Sequence, residues 1–167
     1  MKKNVLILLM ALALVALGVA VASAGPWVEK ATGGGTNSIN IPIYGKTSLA
    51  FTAQKDKDGN VKGQAQFNIH GNPNCGRFHV KVQCLRVEGN EAWIGGTIIR
   101  AKNPKLVGKV IVWQVADNGQ GAGSDPDQVS AFPFAANPCQ CMCWPDLELF
   151  DWPNGNIQVK ERRLDNN

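Results

Sequence analysis

The chain has one tyrosine and two histidines in 167 residues, and after its first 24 residues it lacks any apolar run at i, i+3, i+4 spacing. Nothing therefore forces a helix in that remainder. Charge is scarce in either sign. With Lys2 and Lys3 set aside, the remaining basic residues outnumber the 13 acids by about two, far from the footprint of a nucleic-acid binder, so no nucleic-acid partner is expected. No Ser or Cys nucleophile motif accompanies His70 or His79, which speaks against histidine-assisted nucleophilic catalysis. No cofactor signature is present, and none is expected.

What is there begins with Lys2 and Lys3, an apolar run from Val5 to Val21, and Ala22-Ser23-Ala24 before Gly25-Pro26. That is the three-part pattern of a secretory signal peptide. The run is also close to the minimum for a membrane span, the competing reading. No cysteine lies near the cleavage point to take a lipid. The expectation is a leader over 1–24, a single secreted β domain over 25–167, a periplasmic or extracellular location, and no membrane attachment once the leader is gone.

The mature chain reads as β-structure throughout. Leu49, Phe51 and Ala53 alternate with polar or small neighbours, and Asp58-Gly59 in KDKDGN is a hairpin turn. Ala65, Phe67 and Ile69 then alternate with Gln64, Gln66, Asn68 and His70, so one face is core and the other wet. From Arg77 to Gly121 three consecutive strands are separated by Glu88-Gly89-Asn90 and NPKLVGK, the punctuation of an antiparallel meander. Phe78, Val80, Val82 and Cys84 share a face by alternation, which aims Cys84 at the core. Gly95-Gly96 marks a bulge or a close backbone approach. KVIVWQVA is apolar on both faces and needs a cover, for which Phe132 to Trp152 is the candidate.

At the two ends, PWVEKAT reads as mobile and ERRLDNN as a frayed tail. Ile39, Ile41 and Ile43 alternate in a strand that Pro42 confines to an edge or to one-sided pairing. About eight short strands with hairpin-length links predict an all-β fold, a single antiparallel meander closing into a barrel or barrel-like sandwich.

The motifs TGGGT at 32–36, VQCLRVEGNEAWIGG at 82–96, VADNGQGAGSDPDQ at 115–128 and GNIQV at 155–159 together resemble an uncharacterised family of secreted bacterial β domains. Its members share a GGG-containing opening, a V-x-C-L-x-V-x-GN-x-A-x-I-GG centre, a DNG-x-G…PDQ loop and a closing GNI-x-V strand. The resemblance spans nearly all of the mature chain and implies an exported β fold. It implies no activity, cofactor or catalytic residue. NPCQCMCWPD at 137–146 departs from the pattern, which has a single late cysteine there.

Five cysteines carry the most informative chemistry: Cys75, Cys84, Cys139, Cys141 and Cys143. In an exported chain two bridges would leave one over. Cys139, Cys141 and Cys143 are too close in sequence to bridge one another comfortably, so pairing with Cys75 or Cys84 is expected, Cys75 being the preferred half because it sits in an outer turn. Alternatively, the CxCxC run with His70 or His79 offers soft ligands for Cu(I) or Zn(II), although its spacing fits structural zinc sites poorly. Asp117, Asn118, Asp125 and Asp127 in one loop, and Asp56, Asp58 and Asn60 in another, are oxygen-rich. Neither follows the twelve-residue calcium pattern, and both suit Asx turns. Trp93 and Trp113 lie in strands; Trp27, Trp144 and Trp152 lie in irregular segments, where exposed rings can stack on sugars or cover the core.

These observations name no catalytic, cofactor or metal site. They favour a non-enzymatic secreted domain with a binding, structural or interaction role, whose partner would be an extracellular polymer or protein. The alternatives are a small hydrolase using carboxylates and a thiol-based metal-binding protein.

Overall fold

A computed structural model describes residues 27–41, 45–72, 74–121 and 123–162, with the side chains of 37–41 left aside. The leader, Pro42, Ile43 and the last five residues fall outside this range. Ten antiparallel strands form one curled sheet, a half-barrel. In chain order they are β1 (Trp27–Ile41), β2 (Gly45–Asp56), β3 (Val61–Ile69), β4 (Arg77–Glu88), β5 (Glu91–Ala101), β6 (Val110–Ala116), β7 (Gln128–Ser130), β8 (Phe134–Ala135), β9 (Leu149–Asp151) and β10 (Asn154–Glu161). The spatial order is β10-β1-β2-β3-β4-β5-β6-β7-β9, with β8 paired to β6. Three of the ten, β7, β8 and β9, are short strands within 128–151, and about eight strands in all were expected.

The core fills the inside of the curl. Leu49, Phe51, Ala53, Ala65, Phe67 and Ile69 point inward, as their alternation requires. Phe67 stacks on Phe78 at 4.9 Å and meets Trp113 edge-on at 5.4 Å, and Phe132 closes over both phenylalanines at 4.8 and 6.2 Å. Such pairs contribute about 1 kcal/mol each beyond the area they bury.

The opening segment is ordered further than expected. Trp27 belongs to β1, and Lys30 and Arg162 stand over its ring at 5.8 and 4.7 Å. Arg162 also donates its backbone N–H to Val28 O, so Glu161 and Arg162, expected to fray, are held to the sheet. The cause is β10, which pairs with β1 from Glu29↔Glu161 to Thr36↔Asn154. The glycines of TGGGT allow that approach: a Cβ on Gly33 would lie 2.7 Å from Asn156 O, and one on Gly35 would lie 2.4 Å from Gly155 Cα. Beyond Thr36, among the described residues β1 pairs with β2 alone, at Asn37↔Thr47 and Ile41↔Gly45, in keeping with the one-sided pairing expected there.

Two bulges reset the alternation around β4 and β5. Val82 pairs with Gly96 and Cys84 with Gly95, so Gln83 is the extra residue. Inward pointing then passes from Val82 to Leu85, and Cys84 turns outward, away from the Phe78, Val80 and Val82 face to which simple alternation assigned it. On β5, Val80 pairs with Ile98 and His79 with Arg100, leaving Ile99 as the extra residue, 58% exposed. Arg100 is thereby turned out, and Ala101 packs on the core.

The outer face of β4–β6 carries the expected cover. The 3-10 turn Pro138–Met142 lies on it, with Pro138 O so near β5 that a Cβ on Gly95 would meet it at 2.3 Å. Cys84, Trp93, Val112 and Cys141 form a second buried cluster there, with Ala135 and Trp144 against it. Buried Gln114 ties the segment down again: its Oε1 accepts from Leu147 N at 2.7 Å, and its Nε2 donates to Glu91 Oε2 at 2.6 Å.

Candidate functional site

The cysteines resolve into one bridge. Cys84 and Cys141 are joined, with their Cα atoms 6.1 Å apart, and both sulfurs are enclosed in the outer cluster. Cys75 is free, contrary to the preference for it as the bridging half. The reason is the Gln83 bulge, which presents Cys84 to the side where the late segment lies; Cys75 instead packs, half-buried, against the inner core. Burial pushes its thiol pKa up. Cys139 and Cys143 are free and exposed. Among the described residues no group of three or more His, Cys, Asp or Glu side chains is gathered as a metal site. The bridge takes Cys141 out of the CxCxC set.

Both oxygen-rich loops are occupied by their own backbone. Asp56 Oδ1 accepts from Asp58 N at 3.0 Å and Asn60 N at 2.9 Å, and the Asn60 side-chain amide reaches both carboxylate oxygens. These bonds, led by the Asn60 amide, hold the Asp56 carboxyl below its ordinary value. In the second loop, Asp117 Oδ1 accepts from Gly119 N and Asp127 Oδ1 from Asn118 N, both at 3.0 Å. Their second oxygens reach across to β10: Asp127 Oδ2 accepts from Ile157 N at 2.6 Å and Asp117 Oδ2 from Val159 N at 3.0 Å. The carboxylates stand where a neighbouring strand would pair, joining the two ends of the sheet.

The tryptophans serve as core and cover. Trp93, Trp113 and Trp152 are buried, and Trp27 and Trp144 are half-buried. Arg86 lies over Trp93 at 3.9 Å and donates to Met142 O and Trp144 O, both at 3.2 Å, clamping the segment beside the disulfide.

A large polar concavity lies on the outer face of β3, β4 and β5. It has a volume of about 820 Å³, and its outward-facing lining includes Gln66, Asn68, His70, Arg77, His79, Arg100 and Lys102. Register explains the gathering. Gln66 opposes His79, which opposes Arg100, and Asn68 opposes Arg77. Lys102 is brought alongside by its backbone N–H bond to Arg77 O and by its stem, which lies over Gly76, where a Cβ would be 3.2 Å from Lys102 Cδ. At the β2 side, His70 Nε2 lies 3.1 Å from Ser48 Oγ and 3.2 Å from Asn68 Nδ2, and Ser48 Oγ lies 3.2 Å from Thr36 Oγ1. The Asn68 amide nitrogen is a donor only, so in its contact with His70 it is Nε2 that accepts.

Among the described residues no acidic side chain lines this groove, and none of Arg77, Arg100 and Lys102 is paired with a carboxylate. Three basic side chains face one concave surface, with no acidic side chain beside them among the described residues. Sequence reasoning placed His70 and His79 on polar faces but missed the site, because the alternation of β3 identifies a wet face without saying what opposes it. The one usable signal was Arg77, His79 and Lys81 alternating beside the Gln64, Gln66 and Asn68 strand.

Fold and groove together define a disulfide-pinned, all-β half-barrel domain with a cationic outer face. Comparison with protein-family models, curated proteins and solved structures found no match in any of the three.

Proposed function

We propose that this chain is an exported, non-enzymatic binding domain that holds an anionic ligand in the groove of Arg77, Arg100 and Lys102. The unpaired, acid-free convergence of those three side chains carries the reading. Like charges brought together without partners cost folding stability, and a bound anion relieves that cost. Arginine forks also suit the bidentate geometry of carboxylate, sulfate or phosphate. A leader over 1–24 and the enclosed Cys84–Cys141 bridge support residence in an oxidising compartment outside the cytoplasm. No helix among the described residues is long and apolar enough to cross a membrane.

Calorimetric titration of the exported chain with anionic ligands tests the groove. Arg77→Gln with Arg100→Gln should abolish binding at unchanged circular dichroism, while Lys57→Gln with Lys62→Gln, equal in charge change but outside the groove, should retain it. Equal loss in both double variants would reduce the effect to overall charge and retire the site.

A further inference from the structure

The basic groove does not stop at β3. A second concavity of about 440 Å³ shares Gln66 and His79 with it and continues toward β1 past Ala50, Thr52 and Gln64, with exposed Ile99 on its flank. Pairing sets these residues in one transverse row, Gly34–Ala50–Gln66–His79–Arg100, with Thr32–Thr52–Gln64–Lys81 beside it. Four inter-strand spacings of about 4.8 Å make the row about 19 Å long. That length suits several units of a chain and far exceeds one small anion.

We infer that the two parts form one continuous binding track for a strand of anionic polysaccharide, its acidic groups at the Arg77, Arg100 and Lys102 end and its hydroxyls over Thr52, Gln64 and Gln66. The inference rests on the anion reading above and adds the class and extent of the ligand. Amide and hydroxyl side chains both donate and accept, which matches the mixed hydrogen bonding of sugar hydroxyls. The small side chain of Ala50 leaves the floor of the neutral half open, and Ile99 gives an apolar edge for the C–H face of a sugar ring. A nucleic-acid strand fits less well, because single-stranded binding is built on aromatic platforms that stack bases. Among the described residues neither part is lined by Trp or Tyr, and Phe51, which borders the neutral part, faces the core. Carboxylated and sulfated polysaccharides share the chemistry, and the experiment separates them.

The test is calorimetric titration of the exported chain with polygalacturonate, heparin, neutral dextran, galacturonate monomer and oligothymidylate, at low and high salt. Polygalacturonate or heparin should bind at least about tenfold tighter than the monomer, and more weakly as salt rises; dextran should not register. The tighter of the two polymers identifies the acidic group. Ala50→Trp, which fills the neutral half without touching a cation, should reduce the polymer to the affinity of the monomer. Arg100→Gln should weaken polymer and monomer alike by about tenfold or more. Monomer and polymer binding equally well, or Ala50→Trp leaving the polymer unaffected, would overturn the track and keep the anion site. Oligothymidylate binding tighter than either polysaccharide would overturn the ligand class. Failure of every anion to bind would overturn both readings.

Discussion

Asp127 accepts the backbone N–H of Ile157 at 2.6 Å and thereby fastens the free edge of β10 to the loop that precedes β7. The same carboxylate accepts from Asn118 N, and the backbone carbonyl of Asp127 accepts from Trp152 N at 2.6 Å. One buried residue thus ties β10 to Trp152, which follows β9, across the two ends of the spatial order, which share no ladder among the described residues. An unpaired strand edge is a liability in β-proteins, and here it is satisfied by side chains.

Asp127→Ala should therefore destabilise the domain by about 3 kcal/mol, because it strands two amide donors in a dry seam. Urea unfolding of the variant beside Asp127→Asn, which keeps one acceptor oxygen, checks this. The Ala variant should lose clearly more, and a loss below about 1 kcal/mol would show that the seam contributes nothing beyond an average hydrogen bond.

Gly95→Ala should lift the 3-10 turn off the outer face, since the added Cβ meets Pro138 O at 2.3 Å. Overpacking of this kind costs about 2 kcal/mol. Trp93 lies beneath the turn, so its fluorescence should shift to the red; an unshifted spectrum with wild-type stability would contradict the close approach.

Non-reducing peptide mapping should find Cys84 linked to Cys141 and Cys75, Cys139 and Cys143 unlinked. The bridge closes a separation of 57 residues, for which chain-entropy arguments give about 4 kcal/mol. Alkylation should reach exposed Cys139 and Cys143 first. Cys75, whose thiol is pushed up by burial, should react only at higher pH. Labelling of Cys75 at the same pH and rate as the exposed pair would refute its placement.

Asp56 organises the β2–β3 turn as a carboxylate. Its folded pKa is lowered, so its contribution is present above the ordinary carboxylate range and disappears as pH falls through the folded value. Asp56→Asn should lower stability at neutral pH, where the carboxylate contributes, and flatten the acid limb, the two proteins converging as pH falls through the folded value. An acid limb identical to wild type would mean that the carboxylate form is not what the turn requires.

Alternation by itself determined the inward sets on β2 and β3, the hairpin at Asp58-Gly59 and the need to cover both faces of β6, because a strand of regular pleat has one possible assignment of its faces. The same rule misplaced Cys84. Two extra residues, Gln83 and Ile99, reverse the parity of the strand beyond them, and whether a strand absorbs an extra residue depends on its partner's register, which no local pattern encodes. The Gln83 bulge turned Cys84 toward the cover, so the bridge formed there and left Cys75 unpaired. The Ile99 bulge turned Arg100 toward His79 and Arg77, bringing charges from separate strands onto one surface. Asp117 and Asp127 were legible as turn residues, but their grip on β10 depends on the sheet curling far enough to bring its ends together. The sequence determined which residues are wet and which are dry; tertiary pairing decided which wet residues meet, since a face is a local property and a groove needs several strands in register.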